Sequence, residues 1–384
     1  MLINKAYKFR LYPNGLQKEI INKTLGCTRL IYNHYLNKKQ TLYEEKKQNI
    51  SCYECIKDIP NLYNEKPYLK EIDSMSLRCA IFDLDNAYTK FFKEKIGYPK
   101  YKSKYEKNSY RTNMIKSTYK DKVYENIKID LINKTITLPK LKEIKIRGYR
   151  NLKEINGRII NATIIKEKDN RYYVSLVVEE QIIPQTFIPN RIIGLDLGIK
   201  DLVITSDYTK YENKKIIEKY EKRIKQKQRR LSKKEKGSHN YYKLKIEIAK
   251  LYRKIKNTRK YIIHKITKQI IENNDIIVTE TLKIKNMIKN HHLAKSLTDA
   301  SLSEIIRQLE YKSIWNNKKL YKIDTYYPSS QICSKCGYKN NKIKNLNIRE
   351  YTCPNCHNEL DRDYNAAENI MFEGIKIFMK EILV

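Results

Sequence analysis

The chain has 384 residues, enough for two or three domains with sizeable cores, and its 41% hydrophobic fraction excludes global disorder. No stretch approaches the ~18 apolar residues of a membrane span, so no membrane partner is expected. The charge is the outlier: 79 Lys+Arg against 43 Asp+Glu leave +36, a self-repulsion that a polyanion relieves, which points to nucleic acid. AT-rich coding would raise the lysine count, but it does not by itself hold the acids to half the bases.

Met1–Lys5 is too short an apolar run for a signal peptide, and a cytoplasmic location is expected. Residues 6–12 alternate as a strand does, and Pro13-Asn14-Gly15 ends it. Apolar residues at helical spacing predict a helix from Leu16 to about Tyr43. A mixed polar connection follows, then a second helix from about Met75 to Phe92. Gly97-Tyr98-Pro99-Lys100-Tyr101-Lys102-Ser103-Lys104 interleaves tyrosine with lysine, which suits base stacking beside phosphate contacts as well as it suits a solvated basic loop. From about Tyr110 to Ile188 short runs such as 135–138, 144–146 and 172–178 predict a small antiparallel sheet or barrel, closed off by Pro184, Pro189 and Asn190. A new unit opens at Arg191, with strands at 192–197 and 202–205. Residues 211–272 then carry 22 Lys+Arg and 6 Asp+Glu, broken near Lys236-Gly237-Ser238, and read as a basic helical hairpin. A buried strand at 275–280, a helix at 302–315 and a strand at 320–323 lead into the last 60 or so residues.

Those residues hold two Cys-x-x-Cys pairs, Cys333/Cys336 and Cys353/Cys356, with sixteen residues between the pairs. Two short turns presenting four soft ligands are what a tetrahedral zinc ion needs, so a structural zinc ribbon over 328–358 is expected. Cys52 and Cys55 have no second pair nearby. Cys27 and Cys79 sit on helical patterns and read as small core residues.

Three carboxylates stand out: Asp196 within an apolar strand, Glu280 at the end of another, and Asp363 at the start of the terminal helix. Burying such acids is costly unless cations compensate. Separate pairing with nearby lysines or arginines is one solution. The other is a site where these oxygens hold two Mg²⁺ or Mn²⁺ ions for in-line hydrolysis of a phosphodiester. No convincing nucleophilic Ser or Cys competes, and His291-His292 read as surface or nucleic-acid contacts. A sugar-kinase reading of Gly194-Leu195-Asp196-Leu197-Gly198 would need further Gly-rich phosphate loops, and the whole chain has ten glycines.

In order and spacing, the chain resembles the TnpB family of transposon-encoded RNA-guided nucleases, related to compact type V CRISPR effectors. The resemblance runs through Lys8–Pro13, Gly97–Lys104, Gly194–Gly198, Thr279-Glu280, Leu309–Lys312, Pro328–Ser330, both cysteine pairs and Asp361–Ala367. It implies a multidomain α/β protein. A RuvC-like (RNase H-like) nuclease domain over 191–384 would include the hairpin 211–272 and the ribbon, with Asp196, Glu280 and Asp363 as its triad. Asp363 is preferred to Asp361 because the family's third acid precedes x-Asn-Ala-Ala. A β-barrel wedge domain (1–12 and 110–188) would carry an inserted helical recognition domain (13–109). Implied partners are a guide RNA from the transposon end and a double-stranded DNA target on the prokaryotic nucleoid. A short transposon-adjacent motif would be read within about Tyr53–Arg78 and Tyr110–Lys116. Expected nucleic-acid contacts are Tyr53, Arg78, Tyr98, Lys100, Lys102, Arg229 and Arg230. A non-cleaving RNA-guided repressor and a miniature CRISPR effector are the alternatives; loss of a triad acid would favour the repressor, and all three are present. His357 stands where a glycine is usual after the fourth cysteine, and Leu360 replaces a polar residue before Asp361.

Overall fold

The computed structural model describes residues 1–106, 108–119, 122–148, 155–182, 187–344 and 348–383. Pro184 of the expected boundary lies outside them. The chain divides into two compact units, Met1–Ile182 and Ile183–Val384.

In the first unit, strand β1 (Leu2–Tyr12) leads into helix α1 (Gly15–Lys46), capped by Asn14 and Gln17 in a reciprocal capping box. Helices α2 (Cys52–Glu65) and α3 (Ser74–Glu94) pack on α1 around Ile31, Tyr35, Leu36, Leu69, Leu77 and Leu84. Helix α2 replaces the polar connection expected there. Its signal is the capping box of Ser51 with Glu54, which Pro60 and a polar exposed face obscure.

Eight strands follow: β2 (Asn108–Asn113), β3 (Lys116–Tyr119), β4 (Lys122–Glu125), β5 (Lys128–Asp130), β6 (Thr135–Leu138), β7 (Lys142–Gly148), β8 (Arg158–Lys166) and β9 (Tyr172–Gln181). Seven strands make one antiparallel sheet in the order β2-β8-β9-β1-β7-β6-β5, with β1 at its centre, and β3 and β4 form a separate hairpin. The sheet wraps a single core from Tyr110 to Ile136 and Val178, but among the described residues its edges β2 and β5 are not hydrogen-bonded to each other. The sheet is curled, and Asn126, just before β5, reaches the end of β2: its side-chain amide donates to the Asn113 carbonyl at 3.0 Å and its N–H to the Ile115 carbonyl at 3.3 Å.

The second unit is built on a five-stranded mixed sheet, β12-β11-β10-β13-β14. Its strands are β10 (Ile192–Asp196), β11 (Asp201–Thr205), β12 (Lys210–Glu212), β13 (Ile276–Thr279) and β14 (Lys319–Lys322). β10, β13 and β14 run parallel, while β11 and β12 add antiparallel strands. Between β12 and β13 lies the basic hairpin, α4 (Ile216–Ser232) and α5 (His239–Asn273); Tyr211, expected to open it, belongs to β12. The short helices α6 (Ile284–Met287) and α7 (His291–Ala300) precede α8 (Leu302–Trp315). A small ribbon with β15 (Glu350–Thr352) paired to β16 (Glu359–Asp361) leads into the terminal helix α9 (Arg362–Ile382).

Strand alternation explains how the sheet is covered. Ile193, Leu195 and Ile277 face a core shared with α5 and α8, whereas Val278 joins Ile370 of α9 in a second cluster. α9 approaches so closely that a Cβ on Gly194 would lie 2.1 Å from the Ala367 carbonyl oxygen and 2.6 Å from the Met371 nitrogen. Backbone cannot yield as a side-chain tip can. Gly194→Ala is therefore expected to cost about 3 kcal/mol or more, measurable by urea unfolding, with a conservative surface change such as Lys219→Arg as the near-neutral control.

Candidate active site and metal-binding ribbon

Register alone brings two of the three acids together. Leu195 of β10 pairs with Thr279 of the parallel strand β13, so the next residues, Asp196 and Glu280, emerge side by side from adjacent strand ends on one face. α9 covers that same face, and Asp363 lies one turn before Ala367, the residue against Gly194.

The electrostatics follow from this crowding. Asp196 is half-buried at the end of β10. Burial first, then the charge and hydrogen bond of Glu280, and then Asp363 push its proton affinity well above the usual carboxylate range, and only the buried Arg362 opposes them. Glu280 also accepts a hydrogen bond from the Leu197 N–H at 3.2 Å. Among the described residues neither Asp196 nor Glu280 forms an ion pair. Asp363 does: Arg349 donates to both its oxygens at 3.1 and 3.0 Å. Separate pairing of each acid thus holds for Asp363 alone. The neighbouring Asp361 has another role. It caps α9 through the Asp363 and Tyr364 N–H groups and pairs with Lys210 at 2.9 Å. Burial works against its ionisation, yet Lys210 and these N–H groups hold its carboxyl below the ordinary range.

An open cavity of about 520 Å³ begins at Glu280 and is lined by Lys283, Arg307, Glu310 and Lys322 among others. Lys322 pairs with Glu310, and Lys283 reaches the Tyr326 hydroxyl at 3.1 Å, leaving the Tyr326 ring 80% exposed.

The four ribbon cysteines converge. Their sulfurs lie within 4.8 Å of one another, with Cys333–Cys356 and Cys336–Cys353 both at 3.7 Å. No other group of three or more His, Cys, Asp or Glu among the described residues is that compact, Cys52 and Cys55 included. The two knuckles repeat one design. Gly337 N–H bonds the Cys333 carbonyl and His357 N–H bonds the Cys353 carbonyl, while the first cysteine's N–H bonds the carbonyl of Tyr338 or Asn358. Both knuckles turn through positive φ, +77° at Gly337 and +59° at His357. The Asn358 backbone and then its side-chain amide pull the Cys356 thiol down to about 6. Such stabilised thiolate suits a metal ligand.

Two asparagines of α9 dock the ribbon. Asn365 bridges the Ser334 N–H and the Ile332 carbonyl, at 2.8 and 2.6 Å, and Asn369 donates to the carbonyls of Ser329 and Ile332. Sequence reasoning missed both, along with Arg349 and Arg362. The available signal was Asn at i and i+4 in an otherwise apolar helix.

The expected nucleic-acid contacts are scattered. Tyr53 is 73% exposed in the first turn of α2, and Arg78 is exposed on α3. Arg229 and Arg230 are exposed in the last turn of α4. Lys100 is exposed, and Tyr98 sits in an aromatic cluster with Tyr88 and Phe91. Lys102 instead turns its ammonium over the Tyr32 ring, 3.8 Å from the centroid. It lines a cavity of about 280 Å³ with Arg29, Asp83 and Arg111. His291 opens α7, and the side chain of His292 lies outside the described residues. Among the described residues no helix is long and apolar enough to cross a membrane.

Fold and site together define a mixed α/β protein with a half-buried acidic cluster beside a four-cysteine ribbon. Residues 175–291 match the OrfB_IS605 family model, described as a probable transposase, and 303–370 match the Cas12f1-like TNB domain. Residues 1–48 match a model described as a helix-turn-helix domain, although here they form strand β1 followed by the single helix α1. A "Putative RNA-guided DNA endonuclease" of Streptomyces pristinaespiralis is 31% identical over 97% of this chain and 90% of its own length. The "Putative RNA-guided DNA endonuclease InsQ" of Escherichia coli K12 is 28% identical over 96% and 92%. "TnpB-like protein L770" of Acanthamoeba polyphaga mimivirus is 23% identical over 97% and 74%. Among solved structures, the mini-RNA-guided endonuclease CRISPR-Cas_phi3 aligns over 97% of this chain and 92% of its own at 10% identity, with a TM-score of 0.49, too low to bear on the argument. The chain belongs to the OrfB_IS605, or TnpB, family.

Two expectations follow from the site. Asp196 binds its proton more tightly when folded. The metal-free protein therefore gains stability that is complete below pH 3.8 and fades as pH rises through the raised value. Asp196→Asn should remove that slope and raise stability at pH 7 in magnesium-free urea titrations. His357→Gly should relieve the left-handed turn and stabilise the ribbon by about 1 kcal/mol, read as slower release of metal to a chelator.

Proposed function

We propose that the protein is an RNA-guided DNA endonuclease that cuts target DNA beside a short transposon-adjacent motif, with Asp196, Glu280 and Asp363 carrying the chemistry. One observation supports this above the rest: Asp196 and Glu280 emerge side by side from the ends of two parallel strands, without an ion pair among the described residues. Such a pair is stable as two anions only with an added cation. The strand order and the helix over the acidic face agree with a RuvC-like, RNase H-like nuclease domain over 191–384. The curled sheet of 1–12 and 110–188 would be the wedge domain and helices 13–109 the recognition domain. The guide RNA would come from the transposon's own end, and the DNA target would be double-stranded.

The donor sets fit two kinds of ion. Sulfurs 3.7 Å apart match the edge of a tetrahedron with ~2.3 Å zinc–sulfur bonds, roughly 3.8 Å. Zinc there would be structural. Asp196 and Glu280 fit a hard divalent ion, Mg²⁺ or Mn²⁺, whereas Asp363 must first give up Arg349. Bound divalent ions supply the charge stabilisation that phosphodiester hydrolysis needs. The chain's own residues hold the carboxylates aligned. Freed from Asp363, Arg349 would stand beside the site as a donor to phosphate oxygens. Lys283, Arg307 and Lys322 around the adjoining cavity are placed to guide a strand toward Glu280.

The test is direct. The protein is purified with its co-expressed RNA, the RNA is sequenced, and matching DNA with a randomised flank is offered. Cleavage should require Mg²⁺ and fall at least ~10³-fold in Asp196→Ala, while DNA binding survives. Cutting that persists in an Asp196→Ala/Glu280→Ala double variant would move the chemistry elsewhere. Binding without cutting in the unaltered protein would leave a guided repressor.

A further inference from the structure

We propose that the end of α3 and the loop after it form a stacking platform for unpaired bases of a single nucleic-acid strand. It rests on the nucleic-acid reading above but not on cleavage. Four rings meet there without closing over a core. Tyr98 folds back onto α3 with its ring centroid 5.2 Å from Phe91 and 5.7 Å from Tyr88, and its hydroxyl 3.0 Å from that of Tyr88. Phe92 lies 5.0 Å from Phe91 and nearly parallel to Tyr88 at 6.4 Å. Phe92 is nonetheless 72% exposed, and Ile96 and Tyr98 are 50% and 42% exposed. The buried face of α3 runs through Leu77, Ile81 and Leu84, and Tyr88 packs against the edge of that core, so the last turn carries Phe91 and Phe92 beyond it.

The platform is held rather than loose. Asn33 of α1 exchanges two hydrogen bonds with the Lys102 backbone at 2.8 and 3.0 Å, and the Tyr101 hydroxyl donates to Gln40 at 2.7 Å. Lys95 ends α3 in a left-handed turn that sends Gly97 and Tyr98 back along the helix. Rings fixed before binding lose little entropy on meeting a ligand.

Charge selects the occupant. Lys90, Lys93, Lys95 and Lys100 are all exposed around the rings, against the single acid Glu94. A second copy would bring the same positive rim and a net +36, so self-association on this face is opposed. Open ring faces among exposed lysines are the pattern of single-strand recognition, in which stacking tolerates any base. Duplex bases are already stacked and offer no free face. An unpaired RNA segment and a displaced DNA strand share this chemistry.

The full-length protein offers a local probe, since its one native tryptophan, Trp315, lies on α8. Phe92→Trp adds a second, and its signal is the difference from the unaltered chain. Oligouridylate or oligodeoxythymidylate should quench it, and a duplex should not; the order of the two strands tells RNA from DNA as the source. The Phe92→Ala/Tyr98→Ala variant should bind single strands about 10-fold more weakly with an unchanged salt slope, at unaltered duplex affinity. Circular dichroism checks that it folds, and Phe92→Trp serves as the ring-retaining control. Strands that bind by anisotropy without quenching the new tryptophan would overturn the proposal. So would quenching or a blue shift with phosphatidylserine vesicles alone, which would make the patch a membrane contact. Because both readouts need no Mg²⁺, a failure to cut DNA would leave them unchanged.

Discussion

Two carboxylates pressed together in an apolar sheet constrain everything else in the second unit. Left as anions, Asp196 and Glu280 would repel each other where water screens them only in part. The surroundings must therefore be stiff enough to prevent their escape and open enough to admit a neutralising cation. Stiffness comes from parallel register between β10 and β13 and from α9, whose Ala366, Ala367 and Gly374 let it settle against the strands. A bulkier helix face would lift Asp363 away. The small residues of α9 are thus part of the acid site, though none carries charge.

The ribbon belongs to the same arrangement. It is tied to α9 through Asn365 and Asn369, and it carries Arg349, whose guanidinium meets Asp363. A staple that merely closed a loop would need neither contact. Here the four cysteines sit on a turn whose flank reaches the third acid, so a metal held by them would also govern the counter-charge offered to Asp363. The one non-glycine turn, at His357, is the weak point of that staple.

Much of this was legible from residue order because the determining features are local. An acid between Leu195 and Leu197, a second after four β-formers, and paired cysteines each carry their chemistry in their immediate neighbours. The helices α1, α3 and α8 were equally plain from periodicity. What escaped was set by distant partners. Arg349 is unremarkable until β15 and β16 pair and bring it to Asp363. Lys102 reads as a phosphate contact until Asn33 pins its backbone and its ammonium turns onto Tyr32. α2 was hidden for a different reason: only Cys55, Ile59 and Leu62 are buried on it, too thin a stripe to stand out against its polar face. The curl of the first unit's sheet, and whether its edges meet, depends on strand bends that alternation does not encode.

The central position of β1 has a consequence for how the protein is made. Leu2 pairs with Gln181 and Leu11 with Tyr172, so β1 leaves the ribosome before either of its neighbours and is flanked only after nearly the whole first unit has been synthesised. During that interval α1, α2 and α3 can close on their own apolar cluster, while Ile3, Tyr7, Phe9 and Leu11 have no neighbouring strand. Long-range closure of this kind is slow and leaves an edge open to wrong pairing. Lys8 and Arg10, which alternate with those apolar side chains, and Lys5, which stands among them on the inner face, put charge on the strand that opposes annealing of one nascent chain to the next.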